Sequence, residues 1–346
     1  MLKNIGIFKD KEDGTIKYVF KNKENNIIEM SLLFNKKDID VICVPTHHFC
    51  NLGCKMCHLT NNNLNKRMKK IELNDFLEAI FKTLVLLKDD RLIKRTNKNK
   101  LLISFMGVGD PLLNLELIKG VYLNEKLIKD TLNYSDINYA ISTMMPNDNI
   151  KVLTEMVNEL SIPLKLHFSL HTPVNEKRKK LIPSTNVTNE EALQYMLDYR
   201  NLITKNDTIM NSYIKFHRTT DPVEIHYTLI EKINDSNEEL KLLCNLLQKY
   251  KIPIKFIKFN PVNELKISEK EIIWVDTIKN TIKDLRIKTY TPPGRQIGSS
   301  CGEFTKHYYH EEIETIEEQN EFNNWKNNYQ VEFDLTNYLN NNDIKN

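Results

Sequence analysis

Cys50, Cys54 and Cys57 put three thiols within eight positions, Cys50-Asn-Leu-Gly-Cys54-Lys-Met-Cys57, a C-x3-C-x2-C arrangement. Three thiolates on one short loop can hold a [4Fe–4S] cubane while leaving one iron without a protein ligand. S-adenosylmethionine (SAM) can chelate that open iron. An electron from the cluster then breaks a carbon–sulfur bond and gives the 5′-deoxyadenosyl radical, whose placement falls to the protein. The competing reading is a structural zinc site completed by His58 or a distant ligand. Zinc ribbons pair two C-x2-C knuckles, and the chain has no second one. His47, His48 and His58 could in principle ligate, but loop histidines beside a metal motif more often serve spacing or hydrogen bonding.

Such a loop has to be presented by rigid elements, and the hydrophobic pattern supplies them. Asp38–Val44 reads as the strand that delivers the cysteines, with further apolar strands near Leu101–Phe105, Ile137–Ser142, Lys165–Leu170, Ile225–Ile230 and Ile254–Phe259. Helical stripes lie between them. Phe76, Ile80, Leu84 and Leu87 form one, and Leu153, Met156, Val157 and Leu160 a second. Leu193, Met196 and Leu197 form a third, opened by the capping-box pattern Thr188–Glu191, and a fourth begins at Ser236–Glu239. Cys244 falls on the apolar stripe of that fourth helix and is assigned to the core. Six strand–helix units imply a parallel sheet and an α/β fold, an open, partial (β/α)6 TIM-like barrel. Chemistry in such barrels sits at the C-terminal strand ends. The unusual residues fall there: Gly107–Pro111, Ser142, Ser169–His171 and Asn260. Thr15–Lys21 and Ile27–Phe34, separated by the polar turn Lys23–Asn26, predict a small β appendage. The expected division is 1–42 for that appendage, 43–300 for the barrel, and 301–346 for a loop and tail that is part helix and part disordered.

A length of 346 residues accommodates one barrel of about 200–250 residues plus appendages. Hydrophobic residues at 40% and charged residues at 27% exclude the composition of a disordered chain. A net charge of +3 neither demands nor forbids a nucleic-acid partner, so any such partner must meet a local basic patch. Basic stretches at Lys66–Lys70, Lys94–Lys100 and Lys177–Lys180 are either solvated loops or an RNA-facing rim. Six cysteines are too few for a secreted disulfide scaffold, and the chain carries no apolar leader or run long enough to span a membrane. A soluble intracellular protein is the expectation.

Read outward from the cysteine loop, the sequence resembles the RlmN/Cfr family of radical-SAM RNA methyltransferases, which modify adenosine at carbon 2 or carbon 8. The likeness runs from about Asp13 to Phe304. It rests on DGTIKYVFK, a cysteine seven residues before the triad, FMGVGDPLLN, IST, FSLHTPVNEKRKKLIP, INDS, KFNP and GSSCGEF in that order. The resemblance implies a radical-SAM barrel with a [4Fe–4S] cluster on Cys50, Cys54 and Cys57. It also implies SAM contacts from Gly109, Asp110, Ser142, Ser169, Leu170, His171 and Asn260. It makes Cys301 the thiol that is methylated by one SAM and then activated by a second, Cys43 the thiol that releases product through a transient Cys43–Cys301 disulfide, and Glu29 the proton acceptor. It further implies RNA as partner, 23S-type rRNA or else tRNA, with carbon 2 favoured. An electron donor such as flavodoxin or ferredoxin would serve a monomer in the cytoplasm.

Each of these residues also has a plainer reading. Cys43 could be a small buried hydrophobe, Cys301 a loop thiol, Glu29 a solvated strand residue, and Ser142 and His171 strand-end hydrogen bonders. The chain also departs from the family pattern. Its first 42 residues match only the β portion next to the barrel and not the usual helical accessory domain. Asp110 stands where Glu is common, Met144-Met145 follow IST in place of small residues, and a tail extends beyond the Cys301 motif. A methyltransferase for a non-RNA substrate and a non-catalytic, metal-stabilised RNA-binding relative are therefore the alternatives.

Overall fold

Runs of β-branched and apolar residues broken by polar turns make the first three strands, β1 (Lys3–Lys9), β2 (Ile16–Lys21) and β3 (Ile27–Leu33), which pair antiparallel in sequence order. The turn between β2 and β3 is closed by Asn22, whose side chain accepts from the Glu24 and Asn26 amides, with Asn25 left-handed at φ 64°. The computed structural model describes residues 1–34, 36–61, 68–85, 98–299 and 316–332. Cys301, residues 66–67 and 94–97 of the basic stretches, and most of the acidic run Glu311–Glu318 lie outside the described residues.

From β3 the sheet continues into β4 (Asp40–Val44), antiparallel to it, with Ser31 opposite Cys43. A small hairpin, β5 (His47–Phe49) with β6 (Lys69–Lys70), follows the end of β4. The parallel part then runs β4, β7 (Lys100–Phe105), β8 (Asp136–Thr143), β9 (Leu164–Ser169), β10 (Val223–Tyr227), β11 (Ile254–Ile257) and β12 (Ile287–Tyr290), completing a ten-stranded sheet. The six expected parallel strands are all present, and β12 adds a seventh at the edge. The N-terminal strands are thus a direct extension of the barrel sheet rather than a body beside it.

The connections are helical: α1 (His58–Asn61), α2 (Leu73–Val85), α3 (Leu115–Leu123), α4 (Glu125–Leu132), α5 (Ile150–Leu160), α6 (Asn175–Leu181), α7 (Asn189–Thr204), α8 (Asp207–His217), α9 (Asn237–Tyr250) and α10 (Glu271–Thr281). The capping box that opens α7 is formed in both directions, Thr188 accepting from the Glu191 amide and Glu191 accepting from the Thr188 amide. Ser236 caps α9 in the same position. Cys244 is buried on α9, where the apolar stripe puts it. The outward faces of the strands meet these helices in one apolar core that includes Trp274, Tyr199, Tyr139, Phe76 and Phe105. The C-terminal helix Ile316–Tyr329 lies against the β1 edge, where Trp325 stacks on Phe8 and donates to the Gln296 carbonyl at 2.8 Å. No described helix is long and apolar enough to cross a membrane.

Successive residues of a strand face opposite sides, so alternate positions point into the barrel. The register aligns them across the sheet: Cys43 with Ser104, Ser142 with His167, His167 with Glu224, His226 with Lys255, and Lys255 with Lys288. The inner surface therefore carries a row of polar side chains from β9 to β12, opposite an apolar half formed by Val41, Leu102 and Ala140.

Candidate active site

A cavity of about 610 Å³ fills the barrel interior and opens at the C-terminal strand ends. Among its lining residues are Cys43, Cys50, Cys54, Cys57, Gly109, Asp110, Ser142, Ser169, His171 and Asn260. Ten of the site residues expected from sequence thus share one space. Two do not line it. Leu170 is fully buried in the apolar core and contributes a backbone N–H to the His226 carbonyl, while Glu29 lies behind the wall. Cys301 is outside the described residues, but Ser299, two positions earlier, reaches the cavity.

The cysteine loop follows β4 and is held from below. Thr46 and His47 donate to the Val108 carbonyl, and Lys55 donates to Leu181 at the end of α6. Gly53 takes φ 67° and the Cys57 amide donates to the Cys54 carbonyl, a tight turn that keeps the three cysteines in one cluster. They pack with Leu52, Leu181 and Ile182. Burial pushes the Cys50 thiol up to about 12, with Cys57 nearby adding to the rise, and burial raises Cys54 and Cys57 as well. Thiols in such surroundings become thiolates only against a compensating positive centre, which a metal provides.

Three thiols of one loop lining the same cavity, with no second C-x2-C pair in the chain, suit a cubane that keeps one iron open better than a tetrahedral zinc site. His48 Nδ1 is engaged by the Ile27 carbonyl and His47 Nδ1 by Thr46, so both rings serve the loop's own packing at those nitrogens.

Opposite the cysteines, the turn after β7 comes very close to the end of β4. A Cβ on Gly107 would sit 2.7 Å from the Pro45 nitrogen. Gly109, at φ +95°, has His47 Nδ1 2.2 Å from where its Cβ would be. Gly107 is therefore required by backbone approach, and Gly109 by its left-handed φ with the His47 side chain against it. Gly109→Ala is expected to cost about 1–3 kcal/mol through the strained φ alone, with the clash adding to it. Urea unfolding of the variant checks this, and a midpoint equal to the parent's would refute it.

Asp110 is buried, and its carboxylate accepts from the Leu112 amide at 3.0 Å, the Met144 amide at 2.8 Å and the Thr143 hydroxyl at 2.8 and 2.9 Å. It thereby ties the end of β7 to the end of β8. Burial pushes the carboxyl up to about 6 against those hydrogen bonds. Arg178 lies beneath, fully buried over the Phe168 ring, donating to the Met144 carbonyl and to Thr185 at 3.0 Å. The Met144-Met145 departure is thus built into a braced turn.

Ser142 sits between Ser169 at 3.2 Å and His226 Nδ1 at 3.4 Å. His171 adopts φ +58°, and its Nδ1 accepts from the Thr228 amide at 3.2 Å. That bond puts the ring proton on Nε2. Burial, aided by Arg178, lowers its pKa to about 3, so the ring is neutral. Cys43 forms part of the opposite wall, and burial pushes its thiol up to about 11 while the Lys17 charge opposes the rise. Lys17 is buried with its Nζ 2.6 Å from Glu29 and 2.7 Å from the Gly298 carbonyl. Glu29 is therefore an ion-paired group next to Cys43, not a solvated strand residue.

The polar lining of the far wall, Lys165, His167, His226, Lys255 and Lys288, escapes the sequence reading. Its signal was present: polar residues at every second position of strands that are otherwise apolar, which in a sheet covered by helices can only point inward.

No family model matches the chain. Over 312 residues it is 26% identical to the "Probable dual-specificity RNA methyltransferase RlmN" of Lachnospira eligens, covering 89% of this chain and 79% of the relative. The like-named protein of Clostridium botulinum strain Eklund 17B is 28% identical over 307 residues, covering 87% and 78%. Among solved structures, a radical SAM methyltransferase from Sphaerobacter thermophilus superposes with a TM-score of 0.65 at 19% identity, covering 87% of this chain and 80% of that one. That structural likeness establishes the fold as a partial TIM-like barrel.

Proposed function

We propose that this chain, a member of the RlmN-like family of radical-SAM methyltransferases, methylates an adenosine of a structured RNA at carbon 2. The observation that carries the reading is one cavity at the strand ends lined by three clustered cysteines, a separate thiol on β4, and the segment that leads to a further cysteine. In this reading residues 43–300 are the catalytic barrel, 1–42 its β extension, and 301–346 the loop and tail bearing the methyl carrier.

Cys50, Cys54 and Cys57 would hold a [4Fe–4S] cluster, which with SAM would supply one-electron cleavage of a carbon–sulfur bond. The Gly107–Gly109 backbone leaves room for the amino-acid part of SAM, Ser142 and Ser169 offer hydroxyls, and neutral His171 offers an N–H donor from Nε2. Asn260 completes the contact set, and Asp110 acts by fixing the turn. Cys301 carries the methyl carbon on its sulfur. Once the carbon is joined to the base, and the adduct has given up one electron to the electron-transfer partner and its ring proton to a base, the Cys43 thiolate attacks that sulfur; the carbon–sulfur bond breaks with its electron pair left on the carbon, which takes up a proton to become the methyl group, as the Cys43–Cys301 disulfide forms. The positive charge of Lys17 favours the Cys43 thiolate that this attack needs, and Glu29 beside it receives the ring proton. The disulfide is then reduced by an external dithiol. Electrons for the cluster come from a flavodoxin- or ferredoxin-type donor, and a monomer in the cytoplasm suffices for the chemistry.

The test is incubation of the reconstituted protein with SAM, reductant and total RNA, followed by nucleoside mass spectrometry. A 2-methyladenosine signal that Cys301→Ala loses is the expected result. 5′-Deoxyadenosine formation with no methylated nucleoside would sink the RNA reading and leave another substrate. Unchanged methylation by Cys301→Ala would sink the mechanism.

A further inference from the structure

Closed barrel interiors are normally packed with branched aliphatic side chains. Here one half of the interior is small and apolar, with Val41, Leu102 and Ala140 from β4, β7 and β8. The other half, from β9 to β12, is basic. Lys165, Lys255 and Lys288 converge on the Glu224 carboxylate at 2.8, 2.9 and 3.4 Å. Three ammonium groups against one carboxylate leave two positive charges uncompensated, Lys165 and Lys255 mostly buried and Lys288 at the half-exposed edge strand. Lys36 lines the same floor, where burial and the neighbouring lysines lower its pKa. His167 and His226 do not offset the excess charge. Their rings stack at 4.3 Å, and burial together with the neighbouring lysines keeps both neutral.

Several details point to a ligand. His167 is 4% exposed, lines the cavity, and neither ring nitrogen has a hydrogen-bond partner. A buried imidazole left so is costly unless something else satisfies it. Each ammonium group has three N–H donors. Lys165 and Lys288 spend one each on Glu224, and Lys255 spends its bonds on Glu224 and on His226 at 3.4 Å, so all three keep donors in reserve. The group His167, Glu224 and His226 would also fit a metal ion by distance alone. A cation, however, would have to displace three ammonium groups from Glu224 and enter a field of its own sign. The charge and the unspent donors both call for an anion.

We propose that the floor of the barrel is a binding site for a phosphate group, one that would anchor the substrate nucleotide beneath the Ser142–Ser169 layer, with Lys165, Lys255, Lys288 and His167 as its donors. The apolar half-wall opposite gives a flat surface for a base or ribose. The nucleotide as source of the phosphate rests on the function proposed above; the oxyanion site itself does not.

The experiment is anaerobic titration calorimetry of the full chain, reconstituted and saturated with SAM so that the SAM site is filled. Adenosine, 5′-AMP, inorganic phosphate and nickel(II) are the probes. The expected result is 5′-AMP binding at least tenfold tighter than adenosine, with that ratio falling below threefold in Lys288→Met and Lys255→Met and being retained in Lys255→Arg. Competition of inorganic phosphate with 5′-AMP, weakened by the same variants, would also support the site and show that the free oxyanion suffices. Lys288 has a side chain 44% exposed, so its substitution keeps the test available if Lys255→Met does not fold. Equal affinity for 5′-AMP and adenosine, or a ratio indifferent to both lysines, would overturn the proposal. So would stoichiometric nickel binding that His167→Ala abolishes. Because binding is read without methyl transfer, a protein that shows the 5′-AMP preference but methylates no RNA refutes the proposed function and not the site.

Discussion

Cys54→Ala is expected to lose iron almost completely on anaerobic reconstitution and to form no 5′-deoxyadenosine above background, while the protein stays folded. Cys54 is the most enclosed of the three cysteines proposed as ligands and the one whose carbonyl accepts the turn bond from Cys57. That backbone bond survives the substitution, and the side chain lost is small, so the effect on stability is of the order of 1 kcal/mol. The effect on the metal is much larger, because two thiolates cannot replace three on a cubane that already lacks a fourth protein ligand. Iron per chain, the visible sulfur-to-iron absorbance, and chromatographic detection of SAM cleavage are the measurements. A variant retaining parental iron with active SAM cleavage would show that the triad is not the ligand set. Zinc in place of iron in the parent protein would point to the structural alternative.

Most of this site was legible because its parts are either rare or periodic. C-x3-C-x2-C is a rare spacing, and the six strands that position it repeat with helical stripes between them, so Gly109, Ser142, Ser169, His171 and Asn260 could be assigned to strand ends before any coordinates. Cys43 was placed by its resemblance and its position on β4. What stayed hidden depends on partners distant in sequence. Asp110 reads as a ligand contact, but its oxygens are occupied by Leu112, Thr143 and Met144, two of them more than thirty residues away. Leu170 lies between two polar residues that face the cavity side of the sheet, and strand alternation turns its own side chain into the core. β12 escaped notice because Ile287–Tyr290 is four residues long and half exposed, with too little apolar pattern to read. Glu29 stands as a proton acceptor only through the resemblance, because nothing local in the sequence announces that Lys17, one strand away, points at it.

That pairing leads to the second large effect. Lys17→Met is expected to lower stability by about 3–5 kcal/mol, the cost of stranding a buried carboxylate by removing its counter-ion. The Lys17 side chain is 1% exposed and the Glu29 side chain 7%, so solvent screens little of the loss. The ammonium group also donates to the Gly298 carbonyl at 2.7 Å, three residues before Cys301. Its removal therefore loosens the segment leading to the thiol that carries the methyl group in the proposed reaction, as well as the strand pair β2–β3. Lys17→Met/Glu29→Leu separates the two consequences. Replacing both members of a buried pair by apolar groups restores much of the stability, but it does not restore the donor to Gly298. Urea unfolding of the single and double variants gives the coupling energy of the pair, and mass spectrometry of the intact protein gives the fraction methylated at Cys301. The double variant should recover most of the stability and little of the methylation. Recovery of both would mean that Lys17 only neutralises Glu29, and a single-variant loss below ~1 kcal/mol would mean that the pair is not buried in solution.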